Sequence, residues 1–350
     1  MKMKIAKYLY MATAALAMAI ALTLGACSDA EVENGGKQQG LMPVLFSAGN
    51  MNAAVTRASA PYMPYESYFV CKMFFHAGAN DTDSTEYYTA NNPLTADVNM
   101  MTELLQIDNQ YGNAAYKGNT FYWQNRKDHV FLALADNNKL KEPQAFTDEL
   151  IDFDLTRGAK TEMGQQPDPI LAYAKAKPAG ATSEANRVKL YFKHQFAQVQ
   201  VNIKNAQDGS VNLENNTYIR DVELLGVTKK GYVPFSITPK GEVDKATFEP
   251  ESKDYAFSLF EATPTAGYLK TYEGIAYGTM QGIQITWYEA DTKVEHKAIL
   301  KKAIDVKLVS GTKYIYNIEL RRSVIAQVVA EIADWKVDES NYEANGTIKN

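Results

Sequence analysis

Apolar and polar side chains alternate with a period of two through most of this chain. In residues 313–320, Tyr314, Tyr316, Ile318 and Leu320 fall on one side of an extended backbone and Asn317 and Glu319 on the other, directly after the turn signal Gly311-Thr312. The same period runs through 196–203, with Val199, Val201 and Ile203 opposite Gln198, Gln200 and Asn202. Further strands are predicted at 130–135, 219–227, 232–237, 283–288, 297–300 and 325–332. Turn-forming pieces such as Asn205-Ala206-Gln207-Asp208-Gly209 and Lys229-Lys230-Gly231 separate them, at spacings that suit antiparallel sandwiches. Helical signal is thin: one short helix is predicted at 96–107 and a second at 146–153, with Thr147 as its cap. The pattern is that of an all-β protein with minor helices.

One apolar run does not alternate. Residues 8–22 follow Lys2, Lys4 and Lys7 and lead into Leu24-Gly25-Ala26-Cys27, the basic-then-apolar layout of an export signal. Small residues at Gly25 and Ala26 before a cysteine look like a bacterial lipobox, in which signal peptidase II cuts ahead of the cysteine and its thiol carries diacylglycerol. On this reading residues 1–26 are a signal peptide and the mature, lipidated protein begins at Cys27. A transmembrane anchor is the competing reading, because the run is close to the roughly 20 residues that span a bilayer. Lipid chains on Cys27 would hold the protein on a membrane by about 0.8 kcal/mol per buried methylene. Residues 28–40 are polar and carry several glycines, as a flexible tether does. Their acidic start resembles the signal that sends lipoproteins of Bacteroidetes-type bacteria to the outer face of the outer membrane, though a solvated linker has the same composition.

Composition narrows the classes of partner. The chain has 350 residues; without the 26 of the signal, 324 remain, a fair size for two domains. Losing the three signal lysines takes the formal charge from −5 to −8. A mildly acidic chain with no basic patch is not built for nucleic acid. With Cys27 committed to lipid, Cys71 has no partner, and its place in the apolar run Tyr68-Phe69-Val70-Cys71-Lys72-Met73-Phe74-Phe75 makes it a buried, inert thiol. The fold must hold without disulfides. Residues 175–185 have no apolar period and place a domain boundary there, dividing the chain into a tether and first strand (27–57), a first domain (58–185) and a second (186–350).

Several separate pieces, in their order, resemble the fimbrillin family of Bacteroidales, lipoprotein precursors that mature into fimbrial subunits or related surface adhesins. They are the lipobox at Cys27; the short strand Leu41-Met42-Pro43-Val44-Leu45-Phe46-Ser47-Ala48; Val55-Thr56-Arg57-Ala58; and Phe121-Tyr122-Trp123 ahead of Val130-Phe131-Leu132-Ala133. Asp168-Pro169-Ile170-Leu171-Ala172-Tyr173 follows. The strongest is Val188 to Val199, where Phe192, His194, Ala197 and Val199 are similar to the F-x-H-x-x-A-x-V strand that opens the family's second domain. Ile332-Ala333-Asp334-Trp335 is similar to its last core strand. The resemblance implies two tandem transthyretin-like β-sandwich domains, a role in adhesion or pilus building, and no catalytic activity.

It also implies a mechanism. In fimbrillins that polymerise, a trypsin-like protease cuts after an arginine in the position of Arg57, which would leave Ala58 as the new start, and the first strand departs with the lipid. Another subunit then inserts an extended segment into the groove left behind, so the partners are other fimbrial subunits, the outer membrane through the lipid, and surface ligands of host or bacterium. The local sequence suits a removable strand: Met42, Val44 and Phe46 alternate, and Pro43 lacks an amide hydrogen, which fits a sheet edge. A solvent-facing loop arginine with no processing role is the alternative for Arg57. The donor would be the tail after Trp335, with Val337, Tyr342, Ala344 and Ile348 as pocket-filling candidates; a frayed terminus has the same polar composition.

Signals for catalysis or cofactors are weak. His76, His129, His194 and His296 share no metal-ligand spacing and read as strand residues. Asp81-Thr82-Asp83-Ser84 lacks the glycine and terminal glutamate of an EF-hand and reads as a hairpin tip. There is no Gly-x-Ser-x-Gly element, Walker loop or dinucleotide fingerprint. No cofactor or metal is expected, and an enzyme is the third-ranked class. The second is a monomeric surface lipoprotein that binds glycans, with Trp123, Tyr122 or Trp287 as stacking candidates.

Overall fold

The computed structural model describes residues 42–50, 62–75, 99–156, 163–207, 209, 211–238, 240–244, 255–300, 306–321 and 325–334. Cys27, Arg57, Ala58, His76, the hairpin tip at 81–84, Trp335 and the tail beyond it lie outside these residues.

The described chain is almost entirely strand. The first half supplies β1 (Phe46–Asn50), β2 (Tyr68–Phe75), β3 (Asn99–Ile107), β4 (Asn113–Tyr116), β5 (His129–Asp136), β6 (Leu150–Asp154), β7 (Pro169–Ala176) and β8 (Val188–His194). The second supplies β9 (Ala197–Asn205), β10 (Thr217–Val227), β11 (Lys230–Pro234), β12 (Tyr255–Ser258), β13 (Phe260–Ala262), β14 (Lys270–Ala276), β15 (Gly278–Glu289), β16 (Glu295–Leu300), β17 (Val306–Lys307), β18 (Thr312–Leu320) and β19 (Ile325–Asp334). Helix among the described residues amounts to three 3-10 turns, Asn137–Lys139, Met163–Gln165 and Glu184–Asn186.

Both helices expected from sequence are strands instead. Residues 99–107 form β3, paired along its length with β2 and at its end with β4. Its Met, Leu, Glu and Gln residues favour helix in isolation, and two flanking strands override that preference. Residues 150–154 form β6, and the hydroxyl of Thr147 reaches only the neighbouring Asp148 carboxylate, at 3.5 Å, so it caps nothing.

Seven of the first eight strands close a barrel in the order β1-β4-β3-β2-β5-β7-β8. The junction of β1 with β8 is parallel and that with β4 antiparallel. The first sheet thus runs on to His194, and the changeover to the second half falls between β8 and β9. The second half consists of a sheet ordered β12-β10-β15-β16, with β17 paired to β15, and a sheet ordered β13-β14-β9-β18-β19. Val199, Val201, Ile203, Tyr314, Tyr316, Ile318 and Leu320 all lie in the core of that half, as their alternation requires. The opposite row on β9 is buried too. There Asn202 donates to Asn317 at 2.8 Å and accepts from Thr271 and Gln200, each at 2.9 Å. The polar face is closed off by neighbours that satisfy it.

A third core joins the halves. The continuous apolar runs of β2 and β5 are buried on both faces, one facing the barrel interior and the other facing Phe196, Val233, Phe235 and Ile275 of the second half. Above this joint β6 and β11 form an antiparallel ribbon, with Asp152 opposite Tyr232. Lys72 interrupts the apolar face of β2 and is fully buried there. Its Nζ donates to the carbonyls of Asp148 and Phe235, at 2.8 and 3.0 Å, and sits 4.5 Å from the centre of the Phe235 ring.

Burial pulls the Lys72 pKa down from 10.5 to about 8, against a weaker upward influence of Glu149 and Asp148. Between these two values the unfolded chain binds the proton that the folded chain has released, so stability rises with pH across the window, and below it the full cost of the buried charge is present. The expected gain from pH 8 to 10.5 is on the order of 3 kcal/mol in unfolding free energy, absent from Lys72→Met. Urea denaturation of both proteins at the two pH values checks it; equal slopes would place the proton elsewhere.

Candidate functional site

The sequence singles out the first strand, and the structure builds a cradle around it. Val44, Phe46 and Ala48 are fully buried, and Met42 packs against the same core from a half-buried position. Burial of Val44 and Phe46 stabilises the closed barrel by roughly 1.5–3 kcal/mol each. The Phe46 ring stands edge-on to three others, those of Phe131, Tyr116 and Phe121, at centroid distances of 5.3, 6.1 and 6.2 Å.

Both backbone edges of the strand are engaged. On one side the Val44 amide donates to the Phe121 carbonyl at 2.9 Å, the Trp123 amide to Met42 at 3.0 Å, and the Ala48 amide to Gly112 at 2.8 Å. On the other side the Val188 amide donates to the Leu45 carbonyl at 2.8 Å. Two side chains add to this. The buried Tyr116 hydroxyl donates to the Val44 carbonyl at 2.7 Å, and the Arg187 guanidinium donates to the Phe46 carbonyl at 2.8 Å. Burial raises the Tyr116 pKa, which favours the protonated hydroxyl that donates this bond. Arg187 is itself held by Glu184 at 2.7 Å, which keeps the Glu184 carboxyl below its usual pKa. Pro43 bridges to Tyr122 on one side, so β1 and its lead-in sit between two walls and not at an open edge.

Gly112 is needed where it stands. Its φ is +71°, and a Cβ there would lie 2.4 Å from the Ala48 carbonyl oxygen and 2.9 Å from Tyr62. Tyr116, Arg187 and Gly112 therefore belong to the cradle, though nothing in their local sequence marks them. They become visible only when strand pairing brings them together.

The remaining candidates separate. Of the three aromatics considered for stacking, Trp123 and Trp287 are buried in the cores and Tyr122 is 39% exposed. An exposed pair that the sequence does not single out, Tyr218 on β10 and Tyr288 on β15, stacks at 5.5 Å and 22°. His129 and His194 are buried. His129 accepts from the Gln124 amide at 3.2 Å and lies 2.9 Å from the Lys127 carbonyl, while His194 pairs with Asp168 at 2.7 Å. Among the described residues no group of three or more histidine, cysteine or acidic side chains is arranged to hold a metal ion. Cys71 is buried, and burial raises its thiol pKa far above the range in which it would react.

The chain's fold has solved counterparts. A candidate cell adhesion protein from Bacteroides ovatus is 15% identical, with the alignment covering 85% of this chain and 99% of that one at a TM-score of 0.55. A second, from Bacteroides uniformis, is 13% identical, with 86% and 100% covered and a TM-score of 0.53. No curated protein matches the chain in sequence. The fimbrillin-like family model matches residues 73–335, about three quarters of the 350, which takes in the end of β2, β3 to β8 and all the strands of the second half. The chain belongs to the fimbrillin-like family.

Proposed function

We propose that this chain is a fimbrial subunit or surface adhesin, exported as a lipoprotein on Cys27 and anchored by that lipid to the outer membrane. A trypsin-like protease cuts between Arg57 and Ala58, β1 leaves with the lipid, and a segment of another subunit takes its place in the cradle. The observation that carries this reading is β1 itself. It is an N-terminal strand with both edges paired and its apolar row buried, connected onward through the residues that contain Arg57. Family membership supplies the class of protein, and strand addition supplies the physics: backbone pairing gives affinity and alternate side chains give register. Two tandem β domains, the second serving as the body that carries the donor tail, complete the picture.

The test is N-terminal sequencing and mass analysis of surface protein from wild type and Arg57→Ala. Wild type is expected to begin at Ala58 without lipid, and the variant to remain a full-length chain lipidated at Cys27 and outside fimbriae. Normal maturation of the variant would overturn the processing role.

The glycan-binding reading has one observation in its favour, the exposed and nearly parallel Tyr218 and Tyr288 rings on the outer face of the β10–β15 pair. Sugar rings stack on such surfaces. If lipidated Cys27 heads the only surface form of the wild type, that pair is where a glycan contact belongs.

A further inference from the structure

The outer wall of the barrel carries a basic, aromatic face on an acidic chain. On β7 burial ends after Ala172, and Tyr173, Lys175 and Lys177 then stand exposed at every second position. On the neighbouring β8 the exposed positions are Lys189, Tyr191 and Lys193, alternating with buried Val188, Leu190, Phe192 and His194. The two strands are antiparallel, with Leu171 opposite Lys193. Leu171 packs in the joint outside the barrel, so the rows that continue from this pair at period two face outward as well. Four lysines and two tyrosines share this surface, although acidic residues outnumber basic ones by 41 to 36 in the whole chain. Lys175 meets the Asp128 carboxylate at 3.5 Å, while Lys177, Lys189 and Lys193 make no ion pair among the described residues. The Tyr173 ring is held in place, because its hydroxyl donates to the Gly241 carbonyl at 2.7 Å; Lys240 and Glu242 flank that glycine and offset each other in charge.

We propose that this face binds an acidic polysaccharide, a linear chain bearing carboxylate or sulfate groups at regular intervals. Charge complementarity selects an anion, and the layout of the lysines selects a long one. Lysines two and four residues apart on a strand stand about 7 and about 13 Å apart, so no compact anion reaches them all. A single exposed ion pair contributes little, but contacts made by successive units of one polymer reinforce one another through their high effective concentration. The tyrosines select sugar: Tyr173 and Tyr191 are 39% and 43% exposed among the lysines, and the apolar face of a sugar ring stacks on such rings. An anionic membrane would match the charge, yet the face has none of the tryptophan, phenylalanine or leucine that sinks into an acyl boundary. Nucleic acid calls for a basic domain, and this chain carries a net charge of −5. The site is separate from the Tyr218 and Tyr288 pair of the second half and does not depend on strand exchange.

The experiment titrates the full chain with polygalacturonate, heparin and uncharged dextran, and follows binding by calorimetry at low and high salt. Wild type is compared with Lys189→Glu plus Lys193→Glu, with Tyr173→Ala plus Tyr191→Ala, and with a charge-matched control on exposed lysines of the second half, Lys297→Glu plus Lys307→Glu. Circular dichroism checks folding throughout. Wild type is expected to bind both acidic polymers and not dextran, and to weaken about tenfold or more on going from about 0.05 to about 0.5 M salt. The β8 lysine pair should weaken binding about tenfold or more, the tyrosine pair about three- to tenfold, and the control by less than about twofold. No binding of either acidic polymer, or an equal loss in the control, would overturn the proposal. Wild-type affinity in the tyrosine variant would overturn the assignment to sugar and leave a general anion surface. Phosphatidylglycerol vesicles and single-stranded DNA are titrated alongside, and tighter binding of either, lost with the β8 lysines, would overturn it in favour of that partner.

Discussion

Phe46→Ala is expected to cost the uncleaved protein about 3–5 kcal/mol of unfolding free energy, the range for removing a fully buried aromatic ring. The site cannot collapse to soften the loss. Its walls are Phe131 on β5 and Tyr116 on β4, whose strands are paired to β2 and β3, and Phe121, whose carbonyl accepts from the Val44 amide. The vacated volume remains as a cavity, and the Tyr116 and Phe121 rings, 5.5 Å apart, lose their common partner. Equilibrium urea unfolding of the full chain measures the loss. A change below about 1 kcal/mol would mean that the aromatic box does not grip the strand.

Gly231→Val is expected to be as damaging for the opposite reason. Gly231 lies on β11 against the tip of the Phe196 ring, and a Cβ there would come within 2.2 to 2.7 Å of three ring carbons. Phe196 has nowhere to retreat: it is buried at the joint between Phe153 and Tyr277, whose ring centres lie 5.9 and 5.3 Å away. Overpacking of this kind costs about 1–3 kcal/mol, and more where the displaced group is caged. We expect about 3 kcal/mol or more for valine and less for alanine, measured by thermal unfolding. Combining Gly231→Ala with Phe196→Leu should recover part of the alanine cost, a coupling that independent sites would not show.

Much of this fold is legible from alternation alone. The rows Tyr314, Tyr316, Ile318, Leu320 and Val199, Val201, Ile203 face the core as their period of two requires. What the pattern could not convey is anything settled by distant pairing. In β3 the inward row is Met101, Glu103, Leu105 and Ile107, and the glutamate breaks the period that would have marked a strand. β6 has its partner in β11, nearly 80 residues away, and local propensity is blind to that. Nothing local marks Lys72 as buried, because both acceptors that make its burial tolerable are carbonyls from remote segments. Of the candidate site, the strand and its buried row were readable from Met42, Val44 and Phe46. The cradle was not, because Gly112, Tyr116 and Arg187 meet only across the closed barrel.

The parallel closure of β1 onto β8 sets the order in which the molecule can fold. Arg187, which holds the Phe46 carbonyl, lies 141 residues further along the chain. Synthesis from the N-terminus delivers β1 early and its second wall late. Closing a loop of that length costs entropy before any contact rewards it, and topologies rich in such contacts fold slowly. The β2–β3 and β5–β7 antiparallel pairs can form meanwhile, leaving Val44 and Phe46 as an apolar row seeking a cover. In a nascent chain of this design the first strand made is among the last to be sealed, and until then the same row that later completes the barrel is an aggregation hazard.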